Sequence, residues 1–293
     1  MKFVLFMAMF FVLKGANSYF FKKAQDDRIT TLELSILFTF IYSAYQFAAF
    51  WLFPPYRGLS LQLGFVIWPV LYSVFFLLMN VLLALSLNNG PAGVTNTILA
   101  FHIIVPMLVG QLVWDETMTI TKLLGLILFG VSIVLFNSSS YSVDTSQKRK
   151  LTPKWWAFCL LSTLFAGISV CFTKQGMNLY PDLGKDYLII YNLSVMILTG
   201  PFLLIRWRKA IPLFKDRSFH LNTLGSAVSL DLSNYIFVTL VSQFDTTTFL
   251  PISSVVCICA VLVMGRVLLK ERISKMALVS VGVSLVSIAL LNI

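Results

Sequence analysis

Ten apolar stretches divide this chain almost end to end, at residues 3–21, 32–53, 62–87, 92–114, 121–137, 155–174, 187–205, 219–242, 247–269 and 275–292. Most match the roughly 20 residues that a helix needs to cross a bilayer. Charges, prolines and turn residues stand between them: Lys22 to Arg28, Pro54 and Pro55, Asn88 to Pro91, Ser138 to Lys150, Pro181 to Lys185, and Arg206 to Arg217. Hydrocarbon offers no hydrogen bonds to open backbone, so the apolar stretches read as transmembrane helices and the punctuation as aqueous loops. Only 12% of the 293 residues are charged and 58% are hydrophobic, against about 25% charged in ordinary soluble domains. That excludes a water-soluble single domain, and ten spans leave no room for a separate catalytic one. The expected fold is an all-α integral membrane protein with ten transmembrane helices.

The polar stretch at 138–154 separates two segments with matched features, 1–137 and 155–293. Gly15 with Lys22 seven positions on corresponds to Gly167 with Lys174, near the end of each opening span. Asn80 and Asn234 both sit in the third span of their halves. Glu116 and Glu271 both follow the fourth span and precede a fifth rich in Gly, Ser, Leu and Val. These correspondences indicate a tandem repeat of five spans. An odd number of spans makes the second copy enter from the opposite side, giving two inverted five-helix repeats, an architecture common among secondary transporters.

The first span also fits a cleavable signal peptide, with Lys2, an apolar run from Phe3 to Leu13, and the small residues Gly15, Ala16, Asn17 and Ser18. Apolar character resumes at Tyr19, and the segment has a counterpart in the second half. The expectation is a retained helix.

The paired Gly15/Lys22 and Gly167/Lys174 positions, with the acidic turns Trp114 to Thr119 and Leu269 to Ser274, resemble the drug/metabolite transporter superfamily. The likeness is to its ten-span members with two EamA-type halves, and it covers nearly the whole chain. It implies a basket of ten helices around a central cavity, lined mainly by spans 1, 3, 4, 6, 8 and 9. It also implies transport of amino acids, sugars, nucleotide sugars, amines or other metabolites. The chain departs from the family pattern in two ways. Lys14 stands where many relatives have Trp, and the usual proline before each acidic turn is absent, Pro106 and Pro251 lying elsewhere in spans 4 and 9.

Ionisable groups at membrane depth are expensive and usually face the bundle interior, so Lys14, His102 and Asp231 are candidates for substrate binding or coupling. Lys14 serves either a cavity or an interfacial anchor. Asp231 lies twelve residues beyond Phe219, about 18 Å along the helix, too deep for so short a side chain to reach water. It reads as a cation or proton site, or as a structural carboxyl bonded to Ser233 or Asn234. His102 titrates near neutrality when unperturbed, and its structural alternative is a neutral ring bonded to a backbone carbonyl. Asn80 and Asn234 are favoured over Asn96 and Asn192 because their positions match, although amides also hold transmembrane helices together. Tyr191 and Tyr235 are possible cavity aromatics. Trp155, Trp156 and Trp207 look like interface anchors. Lys22, Lys174, Glu116 and Glu271 read as repeat-motif and helix-end or gate residues.

The basic excess, 22 Lys and Arg against 12 Asp and Glu, is a topology signal in such a chain, and no nucleic-acid partner is expected. Excluding Lys14, sixteen basic residues fall on the face of Lys22, Lys148 to Lys154, Arg206 to Arg217 and Arg266 to Lys275, and five on the other. The positive-inside rule puts the first face in the cytoplasm and both termini outside, whereas ten-span relatives generally have both inside. Cys159, Cys171, Cys257 and Cys259 lie in apolar runs without His or acidic neighbours, so no metal site and no cofactor is expected.

The leading expectation is a secondary transporter of a small polar metabolite, an amino acid, related zwitterion or amine, with Lys14 meeting a carboxylate and Asp231 an amine. Protons are a possible coupling ion. The alternatives are a sugar or nucleotide-sugar transporter, with Lys14 and Asp231 paired to each other, and a non-transporting assembly subunit. An enzyme would need a clustered nucleophile and base, which scattered serines and His102 do not supply. The expected location is a bacterial cytoplasmic membrane.

Overall fold

The computed structural model describes residues 2–25, 32–52, 62–89, 95, 98–140, 152–267 and 275–291. These residues form helices α1 (Lys2–Gln25), α2 (Leu32–Leu52), α3 (Leu63–Asn89), α4 (Ile104–Val113), α5 (Ile120–Ser140), α6 (Pro153–Leu179), α7 (Gly184–Lys215), α8 (Arg217–Val241), α9 (Thr246–Val267) and α10 (Lys275–Leu291). Short 3₁₀ turns, Phe101–Ile103 and Pro181–Leu183, lead into α4 and α7. Among the described residues, five helices are long and apolar enough to cross a membrane: α1, α3, α6, α7 with the turn before it, and α8. The chain is an all-helical, membrane-embedded protein.

Local chemistry sets several helix ends. Thr152 caps α6 by accepting from the Trp155 amide at 3.2 Å, and Pro153 follows where its missing N–H is harmless. Asp216 caps α8 through the Ser218 and Phe219 amides at 2.8 and 3.2 Å. The expected span at 187–205 continues as helix to Lys215, broken in direction at Arg206, where φ is −114° and ψ is 17°. The expected linker contracts: Ser138 to Ser140 close α5, Pro153 and Lys154 open α6, and the stretch between lies outside the described residues except for Thr152.

Packing crosses between the segments more than it stays within them. α1 lies along α8, and α3 along α6; α2 packs on α7, and α5 on α10; α1 touches α9, and α6 touches α4. Shifting these pairings five helices along the chain exchanges α1–α8 with α3–α6 and α1–α9 with α4–α6, and returns α2–α7 and α5–α10 to themselves. Paired contacts also fix direction. From Gly125 to Ser132 along α5, the hydrogen-bonded partner on α10 moves back from Ser287 to Ser284, so the two run antiparallel. α2 and α7 are antiparallel as well, with Glu33 near Arg206 and Phe40 against Gly200. α3 and α6 follow suit, with Trp68 against Phe172 and Gly176, and Phe75 against Phe165.

Gly15 and Gly167 each mark a close crossing. A Cβ on Gly167 would stand 2.6 Å from the His102 carbonyl oxygen, and one on Gly15 would stand 2.5 Å from Met264 Cγ on α9. α1 therefore meets α9, and α6 the α4 region, through a residue without a side chain, as small residues allow throughout membrane bundles. Buried serines are satisfied locally or across helices: Ser132 bonds Ser284, and Ser287 donates to the Gly125 carbonyl at 2.7 Å.

Candidate functional site

A polar seam runs where α1, α2, α7 and α8 meet. Lys14 of α1 donates to Asn234 Oδ1 of α8 at 3.3 Å, with its ammonium 5.2 Å from the Phe10 ring. One turn on, Asn17 Oδ1 accepts from Tyr42 Oη at 3.1 Å and from Ser226 Oγ at 2.7 Å, and the two hydroxyls lie 3.0 Å apart. One turn beyond Tyr42, Gln46 Nε2 donates to Asp231 Oδ1 at 2.7 Å. Asp231 is 4% exposed. The Asn192 amide of α7 faces the same carboxylate without completing a hydrogen bond, so both its amide atoms and Asp231 Oδ2 are buried without partners. Orphaned groups of this kind are rare, since each forfeits its hydration without compensation.

Beside the seam lies a cavity of about 430 Å³, with Asn17, Tyr42, Gln46, Asn80, Phe76 and Tyr191 among its lining residues. Its size falls within the usual range for small-molecule pockets. Asn80 donates to the Phe76 carbonyl at 2.8 Å, and the Tyr191 ring stands edge to face with Tyr72, centroids 4.9 Å apart.

A second cluster joins the ends of the helices. Lys174 of α6 donates to Glu116 Oε1, and both side chains are almost fully buried. Asp115 enters the left-handed region, φ 52°, and brings Glu116 back over α4, its amide on the Gly110 carbonyl at 3.0 Å. The carboxylate then caps the start of α9: Thr246 N donates at 2.8 Å and Thr246 Oγ1 at 2.5 Å to Oε2. An anion at this position is favoured by the helix macrodipole as well as by the free amides. Lys174 also donates to the Phe244 carbonyl at 3.1 Å and lies over the Trp114 ring at 5.0 Å.

The candidate residues from the sequence therefore separate. Asn80 and Tyr191 line the cavity, and Asp231 sits one hydrogen bond behind it. Lys14 and Asn234 bond to each other outside its lining. Asp231 takes Gln46 as its partner; of the neighbours expected for it, Ser233 donates to the Leu230 carbonyl and Asn234 serves Lys14. Tyr235 lines a different, apolar cleft between α1 and α8. His102 Nδ1 lies 3.0 Å from the Leu99 carbonyl, away from both polar clusters. Lys22 is exposed at the end of α1, and Asn96 and Glu271 lie outside the described residues. Trp155 is fully buried, donating to Thr95 Oγ1 at 3.1 Å, and is not an interface anchor; Trp156 and Trp207 are exposed. Gln46 and Asn17 were overlooked, although Gln46 is the one amide inside the second span and signals itself by polarity alone.

No family model matches the chain, and no curated protein matches it. Among solved structures, one crystal structure of a protein superposes with a TM-score of 0.68 over 98% of this chain and 94% of its own, at 11% identity. At that identity the likeness establishes the fold alone.

Proposed function

We propose that the chain is a secondary transporter that moves a small polar metabolite by alternating access. The observation that carries this reading is the crossed, oppositely directed packing of corresponding helices beside a mainly apolar cavity that carries several polar side chains. It is what ten spans arranged as two inverted five-helix repeats, 1–137 and 155–293, would produce. Such halves can rock about a site at mid-depth and open it to one side and then the other. The resemblance to ten-span EamA-type transporters agrees with this. Asp231, with one carboxylate oxygen unpartnered beside the cavity, is the group best placed to take up a proton or a cationic solute.

A second reading, transport of an uncharged sugar held by Asn and Tyr side chains, draws on the absence of charged side chains among the described residues that line the cavity. The test common to both is two-sided access. Asn80→Cys, in a chain whose four cysteines are replaced, is exposed to a membrane-impermeant maleimide from each face of reconstituted vesicles. Labelling from both faces, redistributed by solute, is the expected result. Labelling from one face under every condition would overturn transport and favour the non-transporting subunit.

A further inference from the structure

The polar groups of the cavity are oriented by the protein itself. Gln46 turns Nε2 to Asp231 at 2.7 Å, which leaves its Oε1 as an acceptor; Asn80 gives Nδ2 to the Phe76 carbonyl at 2.8 Å, which leaves its Oδ1. Tyr191 and Phe76 add aromatic surface at right angles, with ring centroids 5.7 Å apart. Rings so placed offer a π face to a cation.

A carboxyl group stands directly behind this wall. Asp231 is buried, its Oδ2 lacks a hydrogen-bond partner, and no described cation pairs with it, since Lys14 is engaged by Asn234. When it is ionised, as beside a bound cation, its field in a water-poor interior is weakly screened across the single side chain that separates it from the cavity. Among the described residues that line the cavity there is no Lys or Arg to hold an anion. Carboxylates and phosphates are ordinarily held by such cations.

Resting on the transport reading above, we infer that the solute is a small monocationic amine. Its ammonium is held by the carbonyl oxygens lining the cavity, Gln46 Oε1 foremost, beside the Tyr191 and Phe76 rings, with Asp231 as counter-charge. An amino acid brings a carboxylate for which the described lining has no cation, and a nucleotide sugar brings phosphates with the same defect.

The test is calorimetric titration of the purified full-length chain with three matched series: butylamine, norvaline and butanol; isoamylamine, leucine and isoamyl alcohol; phenethylamine, phenylalanine and 2-phenylethanol. Glucose and UDP-glucose complete the panel. At least one amine is expected to bind tenfold or more tightly than its amino acid and its alcohol, and to lose tenfold or more in Asp231→Asn. Asn80→Leu, which leaves the carboxylate in place, is expected to weaken the same amine and serves if Asp231→Asn does not fold. Binding of an amino acid, alcohol or sugar as tight as that of the amines overturns the assignment, as does no amine binding at all. In those cases the transport reading still stands or falls on the two-sided labelling at Asn80→Cys.

Discussion

Lys174 and Glu116, on separate segments of the chain, bond to each other at side-chain exposures of 5% and 4%. The two are unequal in what they leave behind when one is removed. Without Lys174, the carboxylate keeps three donors at the start of α9, the Thr246 amide and hydroxyl and the Thr247 amide. Without Glu116, the ammonium keeps only the Phe244 carbonyl and the Trp114 ring, and α9 loses its cap.

Glu116→Ala is therefore expected to destabilise by about 3–5 kcal/mol, the usual result of stranding a buried charge, and Lys174→Met by less. Thermal unfolding in detergent gives the order. A larger loss in Lys174→Met would mean that the ammonium, not the helix cap, organises this cluster. By contrast, the neighbouring Lys122–Asp245 pair, 3.2 Å apart with Asp245 half exposed, is expected to contribute no more than about 1 kcal/mol.

Gly167→Ala places a methyl against the His102 carbonyl, which is backbone and cannot swing aside. We expect a loss of about 1–3 kcal/mol, typical of overpacking. Gly282 in α10 has nothing within 4 Å of the corresponding position, so Gly282→Ala is expected to be neutral or slightly stabilising, as Ala suits a helix better than Gly. Equal effects of the two in thermal unfolding would show that the crossing of α6 with the α4 region is looser than described.

Lys14 and Asp231 have different partners, and double-mutant cycles separate the networks. Lys14→Met with Asn234→Leu, and Gln46→Leu with Asp231→Asn, are each expected to show coupling of about 0.6–2 kcal/mol, the scale of interhelical hydrogen bonds in membranes. Lys14→Met with Asp231→Asn is expected to add to within about 0.5 kcal/mol. Strong coupling in that last cycle would restore the direct ion pair considered from sequence.

The distribution of basic residues, sixteen against five, leads us to expect both termini outside the membrane. Reporters fused to either end distinguish the cases: a phosphatase active only outside should work, and a fluorescent protein that folds only inside should stay dark. Cytoplasmic reporter activity at both ends would reverse the assignment.

Helix positions were legible because apolar length is a local property. The caps were not: Asp216 and Thr152 lie in stretches that read as loop and linker, so α8 and α6 begin at Arg217 and Pro153, ahead of the expected 219 and 155. The continuation of α7 past Arg206 was not legible, since the charges that follow the break read as loop. The site was legible in part. Asp231 announced itself by its depth, but its partner Gln46 is 185 residues away, and no spacing rule connects them. Trp155 misled for a related reason: its neighbour Trp156 faces outward, while Trp155 turns inward to Thr95 across 60 residues.

The crossed pairing of helices has a consequence for synthesis. α1 waits for α8, α3 for α6, and α5 for α10, so the first five helices are made before most of their neighbours exist. At about 5–20 residues per second, that interval is on the order of 10 s. During it, Asn17, Gln46 and Asn80 have no second-half partner to pack on, and the nascent half depends on the insertion machinery to shelter them. A chain terminated in the linker would remain in that state, an orphan for membrane quality control, and the two segments would have to be made together to yield a stable product.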